Sequence, residues 1–240
     1  MDVLPSTRVS QSRSSHLPTP RVAGALLLAG LAGLVAFAAA CSGDLPGNVV
    51  IGSGEPTTEV RQVADFVEVE ASGGVALEVS TGAAVGVSVT AQPNLLPLTT
   101  TTVDGSRLTV ATTKGFTTTR GITVAVTAPR LTVIALSGGS SATGDLSDAE
   151  SLSLDLSGGA RVTLIGTVDD LEVAGDGGAV IELGGLRANT ARVDLSGGVV
   201  ATLAVSSSVT GTASGGVVIN LEQRPGTVDV ETSGGAVVGP

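Results

Sequence analysis

The stretch that decides the fold is LSLDLSGGARVTLIGTVDDLEVAGDGGAVIELGGLRANTARVDLSGGVVATL, residues 152–203. Glycine doublets preceded by Ser or Asp punctuate it at Gly158, Gly177 and Gly197, with Gly184-Gly185 after a Leu standing outside the pattern, and further doublets of the same kind begin at Gly138, Gly215 and Gly234. The intervals between these six are 20, 19, 20, 18 and 19 residues. A fixed period near 20 is the signature of a solenoid. Apolar residues fall at even offsets from each doublet: Leu152, Leu154 and Leu156 before Gly158, then Ala160, Val162 and Leu164 after it. Leu171 and Val173 before Gly177, and Ala179, Ile181 and Leu183 after it, repeat the pattern. Charges such as Asp155, Arg161, Glu172, Arg192, Asp194, Asp229 and Glu231 fall at odd offsets. Period-two alternation turns one face of a strand inward and leaves the other in solvent.

Two such strands per 19-residue unit, always with the same face inward, do not fit a stack of tight hairpins. They fit an all-β fold, a parallel β-helix in which each coil lies on the last and stacking closes the core. Leu154, Val173 and Val193 are then expected to superpose vertically. The glycine doublets read as corners, because Gly turns through positive φ without a Cβ clash. The residue before each doublet (Ser137, Ser157, Asp176, Ser196, Ser214 or Ser233) forms a polar ladder up one outer corner. Those side chains either bond local backbone at the bend or offer a stripe to a ligand.

Residues 59–240 read as one domain, with regular coils over 131–240 and a less regular β part over 59–130. In that first part, alternation appears in FVEVE (66–70), VALEVS (75–80) and GITVAVTAP (121–129). Asp104-Gly105, between TTTTV and SRLTVAT, is a hairpin signal. ASGGV at 71–75 copies the repeat string 65 residues before the next doublet, as an irregular first coil would. The region is expected to cap the N-terminal end of the stack. No polar cap is visible after the last alternating strand, which ends near Pro240, so that end is expected either to fray or to pair with another copy as a homo-oligomer.

Composition narrows the chemistry. The chain of 240 residues has one His (His16), one Cys (Cys41), three Phe, and no Trp or Tyr. Residues 1–40 hold Arg8, Arg13 and Arg21, then the uncharged run VAGALLLAGLAGLVAFAAA (22–40), then Cys41. A positive n-region, an apolar h-region and small residues before the Cys read as an export signal of lipoprotein type, with Cys41 as the lipid attachment site. An uncleaved anchor and simple secretion are the alternatives, since 19 residues rise about 28 Å and just span a bilayer core. All three place the rest outside the cytoplasm, and the first gives a lipid-anchored protein on the extracytoplasmic face of the cell membrane. Residues 41–58, rich in Gly, Pro, Ser and Thr, read as a flexible tether.

Once residues 1–40 are removed, no His remains, and a Ser-His-Asp triad, a Cys-His pair or a His/Cys zinc site is ruled out. Three of the 12 basic and one of the 22 acidic residues lie in 1–40, so the remainder carries nine and 21, a net charge of −12. Such a surface repels phosphate backbones, and no nucleic-acid partner is expected. Two acidic clusters, Asp145/Asp148/Glu150 and Asp169/Asp170/Glu172, read as solvated turn acids, with calcium as the alternative. Asp155 and Asp194 share an offset two coils apart and are the pair a glycan-cleaving enzyme would use. Against that stands the scarcity of aromatic platforms, so no catalysis and no cofactor are expected. The expected partners are the membrane, through the lipid, and an envelope protein or glycan.

The order of pieces carries a resemblance. DFVEVEASGGVALEVSTG is followed by VDGSRLTVAT, by ITVAVTAPRLTVIALSGGS, and then by repeated L-x-L-x-L-S-G-G. Over residues 59–238 this resembles the bacterial envelope family called the putative auto-transporter adhesin, head GIN domain. The resemblance implies export, often as a lipoprotein, a right-handed parallel β-helix and an adhesion role. It brings no catalytic residues with it.

Overall fold

The computed structural model describes residues 49–239, of which about two thirds lie in strands. The export segment 1–40, Cys41 and tether residues 41–48 lie outside the described residues. The remainder of the expected tether is not free. β1 (Val50–Ile51) lies parallel to β8 (Phe116–Thr117), and β2 (Thr57–Arg61) lies antiparallel to β5 (Gly86–Ala91). The Gly, Pro and Ser of 42–58 obscured two short β-branched runs whose partner strands are far along the chain.

Above β5 the stack begins. β3 (Glu68–Ala71) and β4 (Ala76–Thr81) form one coil, with the ASGGV doublet Gly73-Gly74 at their corner. β6 (Thr99–Asp104) and β7 (Arg107–Thr112) form the expected hairpin, though the two-residue turn is Gly105-Ser106, one place later than Asp-Gly. Gly105 takes φ 60°, as the first central position of a type II′ turn requires. β7 then pairs in parallel with β3, and β9 (Thr123–Ala128) pairs in parallel with β4. The coil built from 107–128 therefore lies beneath the coil built from 68–81, out of chain order.

β10 (Val133–Leu136) passes over that earlier coil and pairs with the upper side of β3. Antiparallel β6 closes the lower edge of β7, and antiparallel β5 closes β9. A 3-10 turn at Leu96–Leu98 joins the two closing strands. Reversing the strand direction ends the stack without leaving a parallel edge open, which is the capping expected of this region.

From β10 upward the fold is a β-solenoid of about five turns. β11 (Ser141–Leu156), β12 (Arg161–Gly175), β13 (Val180–Gly197) and β14 (Val200–Gly215) succeed one another in parallel register. β15 (Val218–Leu221), β16 (Thr227–Gly234) and β17 (Val237–Gly239) complete the last coil. The vertical superposition holds: Val69, Ile134, Leu154, Val173 and Val193 are successive register partners, and each is fully buried. Each buried Leu or Val stabilises the stack by about 1.5–3 kcal/mol, but only while a coil lies above and below it.

The doublets form one corner. Each second glycine donates its N–H to the carbonyl of the first glycine one storey down: Gly159 to Gly138 (2.8 Å), Gly178 to Gly158 (2.8 Å), Gly198 to Gly177 (2.6 Å), Gly216 to Gly197 (2.7 Å). The first glycine sits at positive φ throughout, and at Gly197 a Cβ would stand 2.7 Å from the Gly177 carbonyl oxygen. Both constraints, the dihedral and the close approach, admit only Gly there.

The coil also has a side that alternation alone did not disclose. Ala149, Val168, Ala188 and Val205 are register partners on a short third side, set off from the two long ones by bulges such as Leu146/Ala149 and Leu183/Arg187. Val168 turns inward before the Asp169-Asp170 step breaks the alternation. The third side is too short for a period-two signal to register.

Candidate binding surface

Outward side chains inherit the register of the inward ones, so each odd offset becomes a column up the solenoid. One column reads Glu70, Ala135, Asp155, Ala174, Asp194, Thr212, Glu231. Adjacent storeys stand about 4.8 Å apart. Placing Ala or Thr between the acids separates like charges by roughly 10 Å, about one Debye length at 0.1 M salt. The neighbouring column, Glu68, Val133, Ser153, Glu172, Arg192, Thr210, Asp229, also spaces its acids apart and sets Arg192 next to Glu172.

Threonine hydroxyls bind the carboxylates across storeys. Thr167 Oγ1 donates to Asp148 Oδ1 (2.9 Å), Thr190 Oγ1 to Asp170 Oδ1 (2.7 Å) and Thr212 Oγ1 to Asp194 Oδ1 (2.9 Å). On the opposite long side Glu182 takes Thr163 Oγ1 at 3.0 Å and Arg161 at 3.2 Å. These clamps escaped the sequence reading, although an acid followed by Thr one coil later marks three of them. They orient the carboxylates with neutral donors and so leave the face acidic.

The acidic clusters read from the sequence are redistributed. Asp148, Glu150 and Asp169 border a 720 Å³ groove on the third side with Arg187 and Asn189. Asp170 and Glu172 border a separate 480 Å³ groove with Ser153, Thr190 and Arg192. Asp145 borders neither. Among the described residues no group of three or more His, Cys, Asp or Glu comes together in a way that could hold a metal ion.

Asp155 and Asp194 do share a column, with Ala174 between them. Asp155 borders a dimple of 150 Å³ with Glu70, Ala135 and Ser137, and Asp194 is not part of it. The two carboxylates lie along an open strand face and enclose no cleft. In the corner ladder, Ser196, Ser214 and Ser233 are register partners, and Asp176 Oδ1 accepts the Gly158 N–H at 3.4 Å. That contact is backbone bonding at the bend. Cys41 lies outside the described residues.

β16 and β17 form the upper end of the described residues. β16 pairs only with β14 and β17 only with β15, so among the described residues nothing covers their outer edges. Val228 and Val237 are 47% and 57% exposed there.

Solved structures share this architecture. A putative adhesin from Bacteroides fragilis NCTC 9343 superposes with a TM-score of 0.60 at 17% identity, covering 79% of this chain and 98% of that one. A putative adhesin from Parabacteroides merdae ATCC 43184 gives 0.51 at 18% identity, covering 79% and 97%. At such identities the likeness is one of fold. No curated protein matches the chain. The family described as "Putative auto-transporter adhesin, head GIN domain" matches residues 65–225.

Proposed function

The chain belongs to the auto-transporter adhesin head GIN domain family, and on that premise we propose that it is a lipid-anchored, non-catalytic binding module of the bacterial cell envelope. Cys41 carries the lipid on the extracytoplasmic face of the cell membrane, and the solenoid presents its outward columns to an envelope protein or glycan. The observation that carries this reading is the outer face of the regular coils. Three of its carboxylates, Asp148, Asp170 and Asp194, are held by threonine hydroxyls on neighbouring storeys. A rigid face of oriented acceptors binds at low ordering cost. The described residues contain neither His nor Cys, which supports binding over catalysis.

Two measurements test the reading together. Mass spectrometry of the native N-terminus is expected to find an acylated Cys41 as first residue. Cells carrying Cys41→Ala are expected to lose the protein from the membrane fraction. An unprocessed Met1 terminus, or membrane retention of Cys41→Ala, would remove the anchor from the account. Purified protein that retained no component of envelope extract beyond a Glu172→Lys/Asp194→Lys control would remove the binding role.

A second reading is self-assembly through the last coil, where Val228 and Val237 are exposed among the described residues. Sedimentation at high concentration distinguishes it: a dimer supports this reading, and a monomer removes it.

A further inference from the structure

The repeat is broken at one corner. Four residues join β3 to β4, β10 to β11 and β11 to β12, each turn containing a doublet. Ten residues, 113–122, join β7 to β9 at the equivalent corner of the lowest parallel coil. This enlarged corner, TKGFTTTRGI, holds the only Lys of the chain, Lys114. It also holds Phe116, which is half-buried, whereas Phe66 is buried in the core.

The loop is built rather than loose. Val50 donates its N–H to Gly115 (2.9 Å) and Gly52 to Thr117 (2.8 Å), so β1 straps it. Thr113 N–H reaches the Leu98 carbonyl at 2.9 Å, and Thr118 Oγ1 donates to buried Gln92 Oε1 at 2.6 Å. Between this loop and the Gly73-Gly74 corner above it lies a dish of 740 Å³. Its wall includes Lys114, the Phe116 ring, and the hydroxyl side chains of Thr112, Thr113, Thr117 and Thr118. Among the described residues no carboxylate borders it and none lies within ion-pair distance of Lys114, whereas nearby Arg120 is paired with Glu55 at 3.4 Å. In a chain with 22 acids and 12 bases, this is a cationic spot with an aromatic edge and several hydroxyls.

We propose that the dish formed by residues 112–118 against Gly73-Gly74 binds a polyhydroxylated chain bearing an anionic group, a segment of acidic glycan. The Lys114 ammonium receives the anion as a charge-assisted hydrogen bond. The Phe116 ring takes the apolar C–H face of the sugar, and the Thr112 and Thr117 hydroxyls exchange hydrogen bonds with its hydroxyls, those of Thr113 and Thr118 already donating within the loop. The loop is held on both flanks before the ligand arrives, which lowers the ordering cost of binding. The acidic solenoid faces repel the same polymer elsewhere, which confines it to the dish. The proposal rests on the binding-module reading and adds to the outward columns a second, separate surface for a ligand class those columns repel.

The test is calorimetry on the full chain with three probes: a galacturonate trimer, a galactose trimer and a glycerol phosphate oligomer. Binding of an anionic probe, weakening with added salt and reduced on the order of tenfold or more by Lys114→Gln, is expected. The anionic arm that binds identifies the group as carboxylate or phosphate. Phe116→Leu keeps an apolar side chain in the packing and is expected to weaken the same binding several-fold. Arg192→Gln, on the long face, is expected to leave it unchanged. Binding of neither anionic probe, equal binding of the neutral trimer, or affinity unchanged in Lys114→Gln would overturn the proposal. None of those outcomes touches the anchor at Cys41, and the retention assay on envelope extract remains the separate test of the binding role.

Discussion

Substituting Ala at two glycines that share a dihedral but differ in what lies beneath them separates the two roles of the corner. Gly138 has φ 69° and Gly197 has φ 83°. An L-residue in that region costs about 1–2 kcal/mol, so both substitutions carry this penalty. At Gly138 the nearest atom to a new Cβ is the Gly73 nitrogen at 4.0 Å, an ordinary contact. At Gly197 the Cβ meets the Gly177 oxygen at 2.7 Å and the Gly177 nitrogen at 3.1 Å, so the storeys must part. Parting them loosens the 2.6 Å bond from Gly198 N–H to the Gly177 carbonyl, for a further loss of about 1 kcal/mol or more. The expected losses are therefore about 1–2 kcal/mol for Gly138→Ala and about 2–4 kcal/mol for Gly197→Ala. With a urea slope of roughly 2 kcal/mol per molar, the midpoints fall by about 0.5–1 M and 1–2 M. Urea denaturation followed by circular dichroism reads both. Equal losses would refute the role given to close stacking, and no loss in either variant would refute the corner geometry itself.

Leu154→Ala removes a fully buried side chain between Ile134 and Val173 and is expected to cost about 2–5 kcal/mol in the same assay. Glu182→Gln weakens the Arg161 contact on a face where both side chains are about half exposed, and is expected to cost under about 1 kcal/mol, with the difference vanishing in high salt. Asp155→Ala and Asp194→Ala are expected to leave the protein's behaviour toward envelope polysaccharides unchanged, with no reducing ends released before or after substitution. Measured release that either variant abolished would establish the enzyme that the open geometry argues against.

Much of the solenoid was legible because its signal is local and repeated. Leu154, Val173 and Val193 announce a common inward column through spacing alone, and the doublets mark its corner. The first coil was harder to place. Ala71-Ser72-Gly73-Gly74-Val75 matches the repeat string, but its seat between β7 and β10 depends on pairings across more than thirty residues, which periodicity does not encode. Val50–Ile51 and the first two residues of Thr57–Arg61 were read as tether because strands this short gain their stability from distant partners, Phe116–Thr117 and Gly86–Ala91. The acidic residues were visible, but their grouping was not. Asp169 and Asp170 are adjacent in sequence and border different grooves, because the chain turns between them from the third side to a long side. The threonine clamps needed the register before they could be paired.

The most direct test of the stacked-corner account is a distance between storeys. Asp155, Ala174, Asp194, Thr212 and Glu231 occupy one outward column, so positions 155 and 231 are four storeys apart. In a protein with Cys41 replaced by Ser, spin labels on Asp155→Cys and Glu231→Cys are expected to give a narrow distribution centred near about 20 Å by double electron–electron resonance. A broad distribution, or one centred beyond about 35 Å, would contradict the winding of these segments into a single in-register stack.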